Sequence, residues 1–81
     1  MNEQTTANVR RDAMKIAYSA LLEKGYDPIK QLRGFLLSDD PTYIPDHKSA
    51  RATLTAIDRK EVLDDLLLLY FEALNSEENE S

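Results

Sequence analysis

This 81-residue chain has no cysteine and no tryptophan, and its single histidine is His47. Without cysteine it can form neither a disulfide framework nor a thiolate metal site, and one histidine cannot build an imidazole cluster. Residues 1–8 are polar, and no stretch approaches the roughly 20 apolar residues that a membrane-crossing helix needs. The composition predicts a cytoplasmic protein held together by packing, with no cofactor and no membrane insertion.

Charge of one sign is also missing from part of the chain. Residues 1–60 contain all 10 basic side chains and 8 acidic ones, whereas residues 61–81 contain 7 acidic side chains and no basic one. Runs of acidic residues are usually solvated tails. An acidic contact for a basic partner is the alternative interpretation.

Catalytic patterns are absent as well. Ser19 and Ser38 have no histidine in a pattern that would make either hydroxyl a nucleophile. Three aspartates between residues 39 and 46 lack the glycine and glutamate positions of a calcium-binding EF-hand loop. We therefore expect no enzymatic activity and no metal site.

Helical periodicity and turn residues predict an all-α, compact four-helix domain. The first helix covers residues 9–24 and ends at Gly25, and the second starts at an Asp27 cap followed by Pro28. An extended loop spans residues 38–45, a third helix residues 46–57 and a fourth residues 58–74, with helix-turn-helix-like connections. The expected inward-facing side chains of the first two helices are Val9, Ala13, Ile16, Ala20, Ile29, Leu32, Phe35 and Leu36.

The fourth helix has more apolar surface than a small monomer can cover. Its apolar arc widens to roughly 200°, against a usual minimum near 100°. With only three other helices to cover it, we expect a homodimer whose interface includes Leu68, Leu69 and Phe71.

A basic cluster near the third helix raises an alternative function. A nucleic-acid-binding adaptor would use Lys48, Arg51, Arg59 and Lys60 to contact phosphates. The net charge of −5 and the acidic, leucine-rich fourth helix oppose this function. A third alternative is a structural dimer whose acidic tail binds a basic partner.

A series of short motifs supplies a resemblance to a known family. In chain order they are Lys24-Gly25-Tyr26-Asp27-Pro28-Ile29, Gln31, Gly34, Leu37-Ser38, Asp40-Pro41, Tyr43-Ile44-Pro45, His47, Ala50-Arg51, Asp58-Arg59 and Glu61. Their order and spacing resemble the IreB family of small bacterial regulatory phosphoproteins, over roughly residues 18–70.

The resemblance implies a non-catalytic, all-helical homodimer. Such a protein acts as a negative regulator downstream of a membrane serine/threonine kinase with cell-wall-sensing modules and of the opposing phosphatase. The family's phosphoacceptor threonines lie in a flexible N-terminal segment, where this chain has Thr5 and Thr6.

The sequence thus predicts a flexible tail at residues 1–8, a helical domain at residues 9–74 and a disordered acidic tail at residues 75–81. An unknown downstream protein would be recognised by the surface around residues 39–51. The expected partner-binding residues are Tyr26, Asp39, Asp40, Tyr43 and Arg51. Packing of the tyrosines, and pairing of Arg51 with Asp39 or Asp40, are structural alternatives.

Overall fold

The computed structural model describes residues 3–80, with side chains described for residues 5–77. That part of the chain is all-helical and contains no strand. Its α-helices are α1 (Glu3–Glu23), α2 (Pro28–Ser38), α3 (Ala50–Thr55) and α4 (Arg59–Glu80), and a 3-10 helix covers Pro41–Tyr43. No helix within residues 3–80 is long and apolar enough to cross a membrane.

The turn between α1 and α2 has the predicted chemistry. Gly25 has a φ of +81°, a left-handed conformation that glycine adopts without a Cβ penalty, and Tyr26 N donates to Leu21 O at 2.9 Å. The Asp27 side chain accepts hydrogen bonds from the backbone N–H groups of Ile29 and Lys30. The predicted stop at Gly25 and cap at Asp27 are both confirmed.

The core lies where α1, α2 and α3 meet. Three alanines of α1 are fully covered, which lets the other helices approach its backbone closely. The buried set consists of Ala13, Ala17, Ala20, Leu21, Leu32, Phe35, Leu36, Ile44, Ala50, Leu54 and Val62.

The predicted inward face of α1 is partly wrong. Val9 and Ile16 are exposed, and Ala17 and Leu21 take their place in the core. Ile29 of α2 is also exposed. The buried face of α1 consists of three alanines and Leu21, so the large side chains of Val9 and Ile16 were misleading guides to it.

The segment between α2 and α4 differs from the predicted extended loop and long third helix. Pro41 occupies the first turn of a 3-10 helix, where its missing N–H costs nothing, and the Asp40 side chain accepts from Thr42 N at 3.0 Å. The third helix begins only at Ala50, because Lys48 and Ser49 both have positive φ angles. Its N-cap position is Ser49, three residues after the predicted start at Asp46.

The outer ends of α1 and α4 are longer than the predicted helices. α1 begins at Glu3, six residues before Val9, and α4 continues to Glu80, beyond the predicted end at Leu74. Asp58 does precede α4, and its carboxylate accepts from Lys60 N at 2.9 Å. Glu61, three residues further along, pairs with Arg10 of α1.

Candidate functional site

The 3-10 helix is held against α2 by Tyr43 and Gly34. The side chain of Gln31 donates to Tyr43 O at 3.1 Å. The Tyr43 ring lies so close to Gly34 that a Cβ there would be 2.6 Å from its Cζ and 2.7 Å from its Cδ1. Glycine at position 34 therefore permits this close approach of the 3-10 helix to α2.

We predict that Gly34 and Tyr43 are energetically coupled. In a Tyr43→Ala chain, Gly34→Ala should raise the free energy of unfolding by about 1 kcal/mol, because alanine favours a helix interior. In the parent chain the new methyl group must displace the Tyr43 ring, so the same change should bring no gain. Urea unfolding of the four chains measures this, and an equal gain in both backgrounds would contradict the coupling.

Arg51 and Arg59 hold the ends of the same segment. Arg51 Nε donates to Ile44 O at 2.9 Å. Arg59 Nη1 donates to Leu36 O at 2.8 Å, and its Nε lies 3.1 Å from Asp39 Oδ1. The partner of Asp39 is thus Arg59, and the structural alternative that paired Arg51 with Asp39 or Asp40 was wrong.

Most of the expected partner-binding residues lie at one end of α2. Asp39, Asp40 and Tyr43 follow its C-terminus, and Arg51 reaches the same segment through Ile44. The hydrogen bonds from the Thr42 hydroxyl and N–H lower the pKa of Asp40 below its usual range. Tyr26 is exposed at the other end of α2, about 16 Å away for an 11-residue helix.

The basic residues of the nucleic-acid alternative are largely engaged within the protein. Lys48 Nζ lies 2.7 Å from Glu23 Oε1, and His47 Nε2 lies 2.7 Å from Glu23 Oε2. The hydrogen bond from Lys48, followed by that from His47, lowers the pKa of Glu23. Arg59 likewise pairs with Asp39, so two of the four basic residues have a carboxylate partner, whereas Arg51 donates to the neutral carbonyl of Ile44.

Arg10 joins α1 to α4 through two carboxylates. Its Nε and Nη2 donate to the two oxygens of Asp65 at 2.6 and 2.9 Å, and its Nη1 donates to Glu61 Oε2 at 2.8 Å. The hydrogen bond with Asp65 raises the pKa of Arg10 and lowers that of Asp65. Sequence analysis missed this contact, which links residues more than 50 positions apart.

We predict that the Asp65 contribution to stability is lost in acid. The folded-state pKa of Asp65 is below the ordinary value of 3.8, so its stabilisation is complete above that pH and disappears as the pH falls through the folded value. Asp65→Asn should therefore destabilise the protein at pH 7, and this loss should shrink as the pH is lowered below 3.8. Urea unfolding at a fixed chain concentration tests this, with the exposed neighbour Asp64→Asn as control; a pH-independent loss would contradict it.

The remaining length of α4 carries an apolar surface with almost no cover. Val62 is buried, but the other large apolar side chains from Leu63 to Leu74 are 37–63% exposed. We call these the leucine face: Leu63, Leu66, Leu67, Leu68, Leu69, Tyr70, Phe71 and Leu74. A groove of about 570 Å³ between α1 and α4 is lined in part by Met14, Leu66, Leu68 and Leu69. The expected excess of apolar surface on this helix is therefore present.

The sequence of this chain is similar to those of a known protein family. The family described as IreB regulatory phosphoprotein matches residues 1–72. The chain belongs to the IreB family. It is 43% identical to a UPF0297 protein of Acetivibrio thermocellus over 86% of this chain and 78% of the relative. It is also 42% identical to a UPF0297 protein of Lachnoclostridium phytofermentans, over 79% and 73% of the two chains.

The IreB family match includes the first turns of α1, where Thr5 and Thr6 lie. Thr5 is exposed and Thr6 is half-buried. Among residues 3–80, no group of three or more histidine, aspartate or glutamate side chains is arranged to hold a metal ion. The candidate functional regions are the threonines of α1, the segment after α2 and the leucine face.

Proposed function

We propose that this protein is a non-catalytic regulator in a serine/threonine kinase and phosphatase pathway linked to the cell envelope, and that it acts there as a negative regulator in the cytoplasm. The observation that carries the proposal is the match of residues 1–72 to a family of regulatory phosphoproteins. A regulator of this kind works by presenting a surface, and the described residues offer two.

The first surface is the leucine face, which we assign to a homodimer. Leu68 and Leu69 are each 63% exposed and Phe71 is 56% exposed. Apolar patches of this kind on small proteins mark interaction sites, since water contact with so many adjacent leucines is unfavourable. If two subunits pair through α4, each leucine face covers the other. The dimer then carries two copies of every other surface of the subunit.

The second surface is the segment after α2, which we assign to a downstream protein. Asp39 and Asp40 expose carboxylates there, and Tyr43 adds a partly exposed aromatic ring. Aromatic side chains with nearby charge are well suited to specific recognition. The contacts of Arg51 and Arg59 keep this segment in one conformation, so little ordering is needed on binding.

The phosphoacceptors in this proposal are Thr5 and Thr6. Incubation of the folded protein with ATP and a kinase of this class should add phosphate to one or both, as mapped by mass spectrometry. The matched controls are Thr42, Thr53 and Thr55, which lie in the 3-10 helix and α3. Loss of incorporation in Thr5→Ala, Thr6→Ala protein supports the proposal. Incorporation only at the control threonines, or none at all, would refute this part.

A further inference from the structure

The contact between α1 and α4 depends on a single cationic side chain. Arg10 is 14% exposed and makes three hydrogen bonds across this contact, two to Asp65 and one to Glu61. Val62 is the only buried side chain of α4 among residues 59–77. Beyond its first turn, where Arg59 contacts Leu36 O and Asp39, α4 is held to the domain by Val62 and by the contact with Arg10.

Thr6 lies on the same side of α1 as Arg10. Residues four apart in an α-helix are neighbours on its surface, and Thr6 is four residues before Arg10. Thr5 is five residues before Arg10, which places it about 140° away around the helix. The exposure of the two side chains agrees with this, because Thr6 is half-buried and Thr5 is exposed.

We propose that phosphate on Thr6 captures Arg10 from Asp65 and Glu61 and so releases α4 from α1. This inference rests on the proposed function, in which Thr6 receives phosphate. The kinase would transfer the γ-phosphoryl group of ATP to Thr6 Oγ1. A new P–O bond forms, the bond to the β-phosphate breaks, ADP leaves and the hydroxyl proton passes to a base on the kinase.

Charge and geometry both favour this exchange. A phosphate carries about −1.5 to −2 charges at neutral pH and three strong acceptor oxygens, so it binds a guanidinium more strongly than a carboxylate does. It also repels the carboxylates of Asp65 and Glu61, which lie against the same guanidinium. Near the N-terminus of α1 the phosphate is stabilised by the helix dipole as well.

The consequence would be a change in how the leucine face is presented. Leu66, Leu68 and Leu69 line the groove beside Arg10, together with Met14 of α1. When α4 leaves α1, that groove is lost and the angle of the leucine face to the rest of the domain changes. Phosphate on α1 would thus regulate the dimer and the surfaces that it carries.

The distance between α1 and α4 tests this directly. The chain has no cysteine, so spin labels can be placed at two introduced cysteines, Asp12→Cys and Glu77→Cys, both at exposed positions. Phosphothreonine is installed at position 6 or at position 5 by chemical ligation, without a kinase. Labelled chains are diluted with unlabelled chains. Double electron–electron resonance then reports the distance between the two spin labels of one subunit.

We expect phosphate on Thr6 to shift the distance distribution and to widen it by about a factor of two, as a second orientation becomes populated. Phosphate on Thr5 should leave it unchanged. Unphosphorylated Arg10→Gln and Asp65→Asn chains, checked for native helicity, should reproduce the shift, and Thr6 phosphate should add nothing to Arg10→Gln. An unchanged distribution with phosphate on Thr6, or equal effects from Thr5 and Thr6, would overturn the inference. Because no kinase is used, this outcome is independent of whether a kinase modifies Thr6.

Discussion

Replacing both Leu68 and Leu69 with aspartate is expected to disrupt the proposed homodimer and leave a folded monomer. Both side chains are 63% exposed and lie outside the buried core, so the change leaves the core intact. In a dimer interface it would bury unpaired carboxylates, which should weaken association by roughly 100-fold or more. Sedimentation equilibrium over a range of concentrations measures the dissociation constant.

The matched control for this experiment is Leu37→Asp. Leu37 is 77% exposed on α2 and does not belong to the leucine face, so it tests the effect of an added surface carboxylate alone. We expect the control chain to associate like the parent. Unchanged association of the Leu68→Asp, Leu69→Asp chain would show that this part of α4 is not the interface.

Ile44→Ala is expected to destabilise the protein by about 2–5 kcal/mol, the usual range for truncating a buried isoleucine. Ile44 is fully buried, although it belongs to the segment that carries the candidate partner-binding residues. Its carbonyl oxygen also accepts the hydrogen bond from Arg51. Because a domain of this size is stabilised by only about 4–12 kcal/mol, the loss should be obvious in urea unfolding.

Ile29→Ala is the control for Ile44→Ala. The same side chain is shortened, but Ile29 is 66% exposed at the start of α2. The expected change in the free energy of unfolding is about 0.5 kcal/mol or less. Equal losses in the two variants would contradict the burial pattern, and with it the view that Ile44 fixes the candidate surface to the core.

Local turn chemistry made α2 the most predictable element. Asp27 and Pro28 act through neighbouring backbone groups, so their effect can be read without knowing the tertiary structure. Gly25 is similar, because its positive φ is a local requirement. The bounds of α3 were less accessible, since Lys48 and Ser49 adopt left-handed conformations that their residue types do not favour.

Tertiary contacts account for what sequence analysis missed. Arg10 was not expected to contact Asp65, because no local pattern relates residues that are 55 positions apart. The spacing of Glu61 and Asp65, four residues apart on one side of α4, was the available signal for a basic partner. The pairing of Asp39 with Arg59 instead of Arg51 depends likewise on where α4 begins.

The leucine face could be predicted because it depends on the number of apolar residues in α4 and not on particular tertiary contacts. Eight large apolar side chains within 12 residues of α4 give it an apolar arc much wider than one packed neighbour can cover. The number of helices available to cover them also follows from chain length. The exposed apolar side chains of α1 could not be predicted in this way. Apolar residues recur at helical spacing along more than one face of that helix, so spacing alone does not say which face is buried.

The oligomeric mass of the parent protein tests the central claim most directly, namely that the leucine face pairs two copies of the chain. Light scattering coupled to size separation should give twice the chain mass of 9.2 kDa at micromolar concentrations. The value should fall toward the single-chain mass only on strong dilution. A stable species of 9.2 kDa at high micromolar concentration would contradict the account.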